Sequence, residues 1–540
     1  MSERLIGRRL AMPLLALWLA LVVVSLFSRS YIPIDETRYV TVAWNMWLRG
    51  DYLVPFLNGE AYSHKPPLLF WLMNLGWAVF GVNDWWPRLV PSLFSLGSAW
   101  LVVGIARRLW PQDAMAARIA PMILLGSALW TVFTTATMFD MMVAFFTLLG
   151  VLGLLTAWQG KAPKGWLLVG LAIGGGLLAK GPTILLQILP VAVLAPWWGR
   201  EPAQSWRRWF AGLLGAVLLG ALIALAWAIP AGIYGGKTYQ HAIFWGQTAD
   251  RMVNSFAHRR PLWWYVPILP VILFPWLLWL PIWRGLLDFK RYGVDPGMRL
   301  CVAWLLPVFA AFCFISGKQP HYLLPIFPAF ALMAARGISS LSVSSRFDTL
   351  PAAIATILAG TLLIYLPHYA QTHHVAPWIS GIPLWGGLVL GVAGILLLVL
   401  RSSDLMHEVW KLTLLSGLVV ALLYISVLRS AGLAYDIHPI SAKLKALQDA
   451  GIPLAHSGKY HGQYQFLGRL HDAPETVTNL GQWFEAHPNG KAIVYFSTRY
   501  SLRDLHADFV QPYLGDNVAI IGREAWPPKV AEIAVNAAGE

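Results

Sequence analysis

Apolar runs about as long as a bilayer is thick recur along this chain almost from end to end, and that constraint precedes every other. They lie at roughly 10–28, 88–106, 119–137, 139–157, 165–180, 182–198, 209–230, 263–283, 299–316, 321–336, 350–367, 383–400 and 411–428. A helix needs about 20 residues to cross the hydrocarbon, and it satisfies its own backbone polar groups there, so about thirteen membrane helices are expected. A hydrophobic share of 57% and a mean hydropathy of +0.58 agree with a polytopic α-helical membrane protein. The first run follows Arg4, Arg8 and Arg9 without a small-residue cleavage site and reads as a retained first helix. Cys301 and Cys313 fall in one apolar run. Twelve residues of helix separate them by about 18 Å, too far for a disulfide.

The net charge of +14 sits in short loops between the apolar runs, which is how cytoplasmic loops look, and no nucleic-acid partner is expected. Arg107, Arg108, Lys161, Lys164, Arg207, Arg208, Arg336 and Lys411 share a side with the N-terminal arginines. That side is cytoplasmic by the positive-inside rule. The outer side then holds the segment 31–87, a loop at 231–262, a loop at 368–382 and two short turns with a lysine each, Lys180 and Lys318. The apolar stretch 66–82 is short and is expected to lie along the interface. From about Ala431 the composition turns polar, with strands expected at 492–496 and 518–522 and a helix at 441–451. Two domains are expected: a transmembrane part over 1–430 and a small outer α/β domain over 431–540.

Between Ile34 and Leu69 stands a charged island with Asp35, Glu36, Arg38, Asp51, Glu60, His64 and Lys65 in a chain only 12% charged. Ionisable groups beside a bilayer are costly without water, a partner or a ligand, so the cluster is a functional-site candidate. Asp35 precedes a helix-like run and is either its N-cap, with Ile34 and Tyr39 as a staple, or a chemical group. Glu36 points about 100° away from it on a helix and can only support it. Lys65, before Pro66 and Pro67, stands at the mouth of a helix whose free N–H groups favour an anion. Its alternative is a snorkelling lysine. His64 has no second ligand at metal spacing on its element. Asp140 either caps the helix it opens or faces a polar cavity. Tyr234, Lys237, His241, Asp250, Arg251, His258, Arg259 and Arg260 gather in the 231–262 loop. With Lys65, Lys180 and Lys318 these cations suit a phosphate head group, or contact with anionic lipid.

IDETRYVTVAWNM, GDYLVPFLNGEAYSHKPPLLFWL and FGVNDWWPRLVPSL, followed by LAKGP and SGKQPHYLLPIFPA, resemble the bacterial aminoarabinose (lipid A) transferases. These belong to the GT-C glycosyltransferases, which include the protein O-mannosyltransferases. The resemblance covers most of residues 1–335 in the same order, and YHGQYQFLGRL at 460–470 is similar to the outer domain of that group. It implies a GT-C fold and transfer of a sugar, 4-amino-4-deoxy-L-arabinose or a relative, from undecaprenyl phosphate to lipid A or another acceptor at the outer face of the bacterial inner membrane. Asp35 matches the family's acidic catalytic residue, with Glu36 and Asp140 as further acidic candidates. Lys65, Lys180, Arg251 and Tyr322 match its donor-phosphate contacts, and Arg38 and Tyr62 its site lining. His64, Lys318 and His321 are counted as substrate-binding candidates.

The aminoarabinose enzymes usually carry Glu where His64 stands, and a Glu-His pair where Gln247 and Thr248 stand. Groups able to hold a divalent cation are therefore replaced, and a tightly held ion is not expected. Two alternatives share these residues: a protein or glycan glycosyltransferase with the same donor class, and a polyprenyl-lipid transporter. A transporter places charges at mid-membrane depth, whereas these crowd the outer boundary. The topology is testable: a phosphatase reporter fused after Glu540 is expected to be active outside the cytoplasm. A reporter active only in the cytoplasm would contradict the loop-charge argument.

Overall fold

The structure, a computed structural model, describes residues 2–199, 203–250, 259–288, 293, 295–341, 345, 347–373, 375–400, 402, 404–498, 505–526 and 534–535, and of residues 2–11, 247–250 and 534–535 only the backbone. Helix α1 covers Ser2–Ser28, α2 Asp35–Arg49, α3 Leu68–Phe80 and α4 Trp85–Leu109. Among the described residues eight helices are long and apolar enough to span a membrane, or nine if α5 (Ala114–Leu125) and α6 (Ala128–Thr134), bent by 69°, form one span. Met12–Ser28, Thr183–Val193 and Leu384–Val399 are apolar but shorter. The interval 263–283, expected as one helix, is divided into Tyr265–Ile272, Trp276–Leu278 and Leu280–Leu286. Pro270, Pro275 and Pro281 remove N–H donors there, and a proline inside a helix breaks its ladder. The 231–262 stretch, expected as a loop, is helical over Gly236–His241 and a π-helix over Ala242–Asp250.

Antiparallel packing sets the site. Helices α7 (Asp140–Trp158) and α8 (Ala162–Lys180) are joined by a short turn. The first residue of one and the last of the other therefore share an end. Their close approach needs a small residue: a Cβ on Gly165 would lie 2.4 Å from the backbone nitrogen of Ala157. Helix α1 ends in carbonyls with no helical partner, and Arg88 of α4 donates to Ser25 O at 2.5 Å and Leu26 O at 3.3 Å. Cys301 and Cys313 are free and buried.

Beyond Leu405–Leu422 the helix continues through a π-turn at Leu423–Leu428 into the C-terminal part. Here β3 (Leu454–Ser457), β4 (Glu475–Val477), β5 (Lys491–Ser497), β6 (Ala507–Tyr513) and β7 (Asp516–Ile521) form a mixed sheet in the order β4-β3-β5-β7-β6, with β8 (Ala534–Val535) pairing β5. Strand β3 runs parallel to β4 and β5, whereas β7 is antiparallel to β5 and β6. The run AIVYF is continuously apolar because both faces are covered. Ile493 and Tyr495 pack toward His438–Asp449, and Ala492, Val494 and Phe496 toward Leu480–Ala486.

This sheet domain is fastened to α2 and to the hairpin of β1 (Phe56–Leu57) and β2 (Glu60–Ala61). Asn58 and Gly59, both with positive φ, make its turn. Thr41 Oγ1 donates to Gly462 O at 2.7 Å, Asn58 Nδ2 to Tyr460 O at 2.6 Å and Trp44 Nε1 to Leu470 O at 3.0 Å. Gly462 has φ +76°, and a Cβ there would meet Leu57 Cδ1 at 2.7 Å and Thr41 Cγ2 at 2.9 Å. Gly462→Ala is expected to cost about 1–3 kcal/mol through overpacking and left-handed strain. Limited proteolysis of the purified protein should show the 436–470 region cut faster than in the wild type. Equal rates would mean that the contact does not hold the domain in place.

Candidate active site

The site is built on aromatic rings. Phe139, the residue before α7, meets Tyr39 of α2 edge-on at 4.8 Å and Phe70 of α3 at 5.7 Å, centroid to centroid. These rings, with Trp44, Trp77 and Phe466, are one buried cluster that joins α2, α3, α7 and the sheet domain. Edge-to-face pairs fix ring orientation as well as burying area. The Lys65 ammonium stands 5.8 Å over the Phe139 ring. Next to that ring, Asp140 Oδ1 accepts from Lys180 Nζ at 2.6 Å, a pair whose side chains are 3% and 14% exposed. The other Asp140 oxygen is buried with no hydrogen-bond partner among the described residues. The Lys180 ammonium also lies 5.0 Å over the Tyr322 ring, and His321 packs against Tyr322 at 4.8 Å and Phe133 at 5.2 Å. Asp35, Lys65, Asp140 and Lys180 all act electrostatically on His321.

Asp35 is not the N-cap. The helix begins at Asp35 itself, Ile34 occupies the cap position, and no side chain caps it. The exposed Asp35 carboxylate instead pairs with Arg38 and accepts from Tyr39 Oη at 3.4 Å. Asp140 is likewise no cap, since Phe139 holds that position without a side-chain bond and the carboxylate serves Lys180. Glu36, counted among the catalytic candidates, is fully engaged by the protein itself. It is buried behind the site, where its oxygens accept from Arg29 at 2.6 and 3.1 Å, from Ile32 N–H at 2.7 Å and from Thr137 N–H at 2.6 Å. Burial alone would raise its pKa, but Arg29 and the two backbone donors outweigh that and hold the carboxyl below its ordinary range.

Lys318, counted as substrate-binding, is engaged by backbone carbonyls. Its buried ammonium donates to Ile315 O at 2.6 Å and Arg260 O at 3.2 Å and so closes the end of helix Pro296–Phe314. Tyr62 is buried, its ring 5.2 Å from exposed His64 and 6.3 Å from Phe70. Arg251 and His258 lie outside the described residues, as do the side chains of Gln247, Thr248 and Asp250. Tyr234, Lys237 and His241 are exposed, and so are Arg259 and Arg260. Among the described residues no group of three or more His, Cys, Asp or Glu has the geometry of a metal site.

His461 was missed in the sequence. It belongs to the segment pinned on α2, its Nε2 is buried with no partner among the described residues, and Arg38 and Asp35 act on it electrostatically. Burial, then the Arg38 and Lys459 cations, push its pKa down to about 4, so the ring is neutral at physiological pH. The signal available was the YHGQ run itself. Its contact with α2 bridges more than four hundred residues and leaves no trace in local spacing.

The architecture, helices around a cluster of cations and carboxylates with a small sheet domain beside it, is a GT-C fold. It superposes on ArnT from Cupriavidus metallidurans, in the apo state with a TM-score of 0.73 and bound to undecaprenyl phosphate with 0.71, at 18% identity, over 96% of this chain and 98–99% of that one. The chain is similar in sequence to proteins named undecaprenyl phosphate-α-4-amino-4-deoxy-L-arabinose arabinosyl transferases. It is 30% identical over 353 residues to that of Pseudomonas fluorescens (strain Pf0-1), 63% of this chain and 60% of the relative, and 30% identical over 378 residues to that of Edwardsiella ictaluri (strain 93-146), 66% and 64%. The matched part thus spans about three fifths of the length of these curated relatives. The family model for dolichyl-phosphate-mannose-protein mannosyltransferase matches residues 64–234.

Breaking a buried ion pair on one side strands the other charge and costs about 3–5 kcal/mol. Arg29→Met is therefore expected to lower the unfolding midpoint of the detergent-solubilised protein strongly, and Arg29→Met with Glu36→Leu to recover most of the loss. Because Glu36 is more acidic folded than unfolded, its contribution in the wild type is present above the unfolded carboxyl range and lost as pH falls through the folded value. In Arg29→Met the sign reverses, since a lone buried carboxylate is relieved by protonation, and that variant should gain stability on acidification. Thermal scans from about pH 8 down to about pH 2.5 check both signs.

Proposed function

We propose that this chain is an inner-membrane glycosyltransferase that moves 4-amino-4-deoxy-L-arabinose, or a related sugar, from undecaprenyl phosphate to lipid A or another acceptor at the periplasmic face. The observation that carries the reading is the convergence of Lys65, Lys180 and Tyr322 with the exposed Asp35 around the Phe139 platform. The relatives' names and the undecaprenyl phosphate-bound neighbour support the donor class. The donor matches Lys65, Lys180, Arg251 and Tyr322 by resemblance, with Arg38, Tyr62, His64 and His321 around them.

In the proposed reaction an acceptor oxygen forms a bond to the anomeric carbon while the bond from that carbon to the phosphate oxygen breaks, with inversion. The electron pair leaves with undecaprenyl phosphate, and the ammonium groups of Lys65 and Lys180 stabilise the charge that develops on it. Asp140 holds Lys180 in position, and its buried pairing keeps the ammonium from turning to solvent. With a hydroxyl acceptor, Asp35 takes the proton as general base. With a lipid A phosphate as acceptor, the nucleophile is already ionised and Asp35, tied to Arg38, orients it or stabilises positive charge on the sugar. His461, neutral and within electrostatic reach of that pair, adds no charge to it.

Asp35→Asn keeps size and removes charge at an exposed side chain that caps nothing, so folding and donor binding should survive. Transfer of labelled sugar from lipid donor to acceptor should fall by about two orders of magnitude or more. Lys65→Ala and Lys180→Ala should weaken binding of undecaprenyl phosphate as well as rate. A folded Asp35→Asn protein with near wild-type transfer would remove Asp35 from the chemistry. Binding without any transfer by the wild type would favour a transporter.

A further inference from the structure

A cleft of about 440 Å³ opens between the end of α1, the start of α4 and the chain leading into the sheet domain. It shares no lining residue with the Lys65–Asp140 cluster. Each element beside it is at the point where an apolar helix ends: Ser28 closes α1, Trp85 opens α4 and Leu428 ends the last apolar run. In a bilayer this is the level of the lipid phosphates.

Charge around the cleft does not cancel. Arg29 is neutralised by Glu36. Asp84 is engaged by Arg469 at 2.6 Å and by His438 Nε2 at 3.8 Å, and Asp436 by His438 Nδ1 at 2.6 Å. Arg88 and Arg429, which also line the cleft, have no carboxylate within ion-pair distance among the described residues. Arg88 is 7% exposed, and its Nε is buried without an acceptor there. Its terminal nitrogens donate to Ser25 O, Ser25 Oγ and Leu26 O, so hydrogen bonds satisfy them but no carboxylate balances the charge, which an anion in the cleft would offset. Arg429 is exposed and stands at the rim. Apolar surface reaches the same rim: Phe27 is 86% exposed and lines the cleft beside Leu26 and Leu428. A free phosphate has no use for that surface, whereas an acyl chain does.

We propose that this cleft binds the phosphate of a membrane-lipid head group, held between Arg88 and Arg429, with the lipid chains lying along Phe27 and α1. The site is separate from sugar transfer and stands or falls without it. It can be tested on the full-length protein in mild detergent by native mass spectrometry with dioleoyl phosphatidylglycerol. Dioleoylglycerol serves as the same lipid without phosphate, and inorganic phosphate as competitor. Arg429→Gln changes an exposed side chain outside the proposed catalytic cluster and should weaken retention of phosphatidylglycerol about five- to tenfold, the scale of one lost cation–phosphate contact. Arg429→Lys should stay within about twofold of wild type, and dioleoylglycerol should not distinguish wild type from Arg429→Gln. Equal retention of phosphatidylglycerol by wild type and Arg429→Gln would overturn the proposal, as would loss in Arg429→Lys equal to that in Arg429→Gln. Dioleoylglycerol held as tightly as phosphatidylglycerol would reduce the cleft to an apolar crevice. Inorganic phosphate displacing the lipid at equal concentration would make it a free-anion site.

Discussion

A guanidinium and a carboxylate withdrawn together from water hold the outer end of this molecule in register. Arg29 follows α1, Glu36 lies in the first turn of α2, and the same two side chains reach Thr135 O at 2.6 Å and Thr137 N–H. Those threonines belong to the connection between α6 and α7, so one ion pair joins three separate parts of the chain just before Phe139 and Asp140. An ion pair of this kind contributes little net stability compared with a hydrophobic replacement, because desolvation offsets most of the attraction. Its value lies in geometry. With Glu36 turned inward, the neighbouring Asp35 is turned outward, and the aromatic platform stands beneath it.

The cations are placed by the same economy of means. Lys65 comes from the mouth of α3 and Lys180 from the end of α8, and neither is near the other in sequence. Two rings, Phe139 and Tyr322, set their positions, and Asp140 adds a buried counter-charge to Lys180. In the reaction proposed above, charges so placed meet the leaving phosphate with less reorganisation of solvent.

Much of this was legible in the sequence, for reasons that differ from element to element. The apolar runs marked the helices because hydrocarbon enforces length and composition, but the count was limited by prolines in the 263–283 interval, where the helix breaks. The AIVYF strand was readable because a strand covered on both faces is apolar throughout. The Asn58-Gly59 pair is a hairpin signal of the ordinary kind, set among charges that carry no such information. Which of two adjacent carboxylates faced the site was not readable with certainty of role: a helical turn separates Asp35 from Glu36 by about 100°, but only Arg29 and Thr137, brought by tertiary packing, show that Glu36 is the buried one. A lysine in a short turn, such as Lys318, reads in sequence as a ligand contact, and its bonds to helix-end carbonyls are tertiary facts that spacing does not reveal.

The fastening of the 460–470 segment to α2 also sets an order of assembly. Thr41 waits for Gly462, and Trp44 for Leu470, until the long apolar helix before them and the chain behind it have been made. A nascent chain that has placed every membrane helix still has Asp35 and Arg38 without the segment that carries His461. Asp35 and Arg38 thus gain their neighbour His461 only through docking of a segment more than four hundred residues further along the chain.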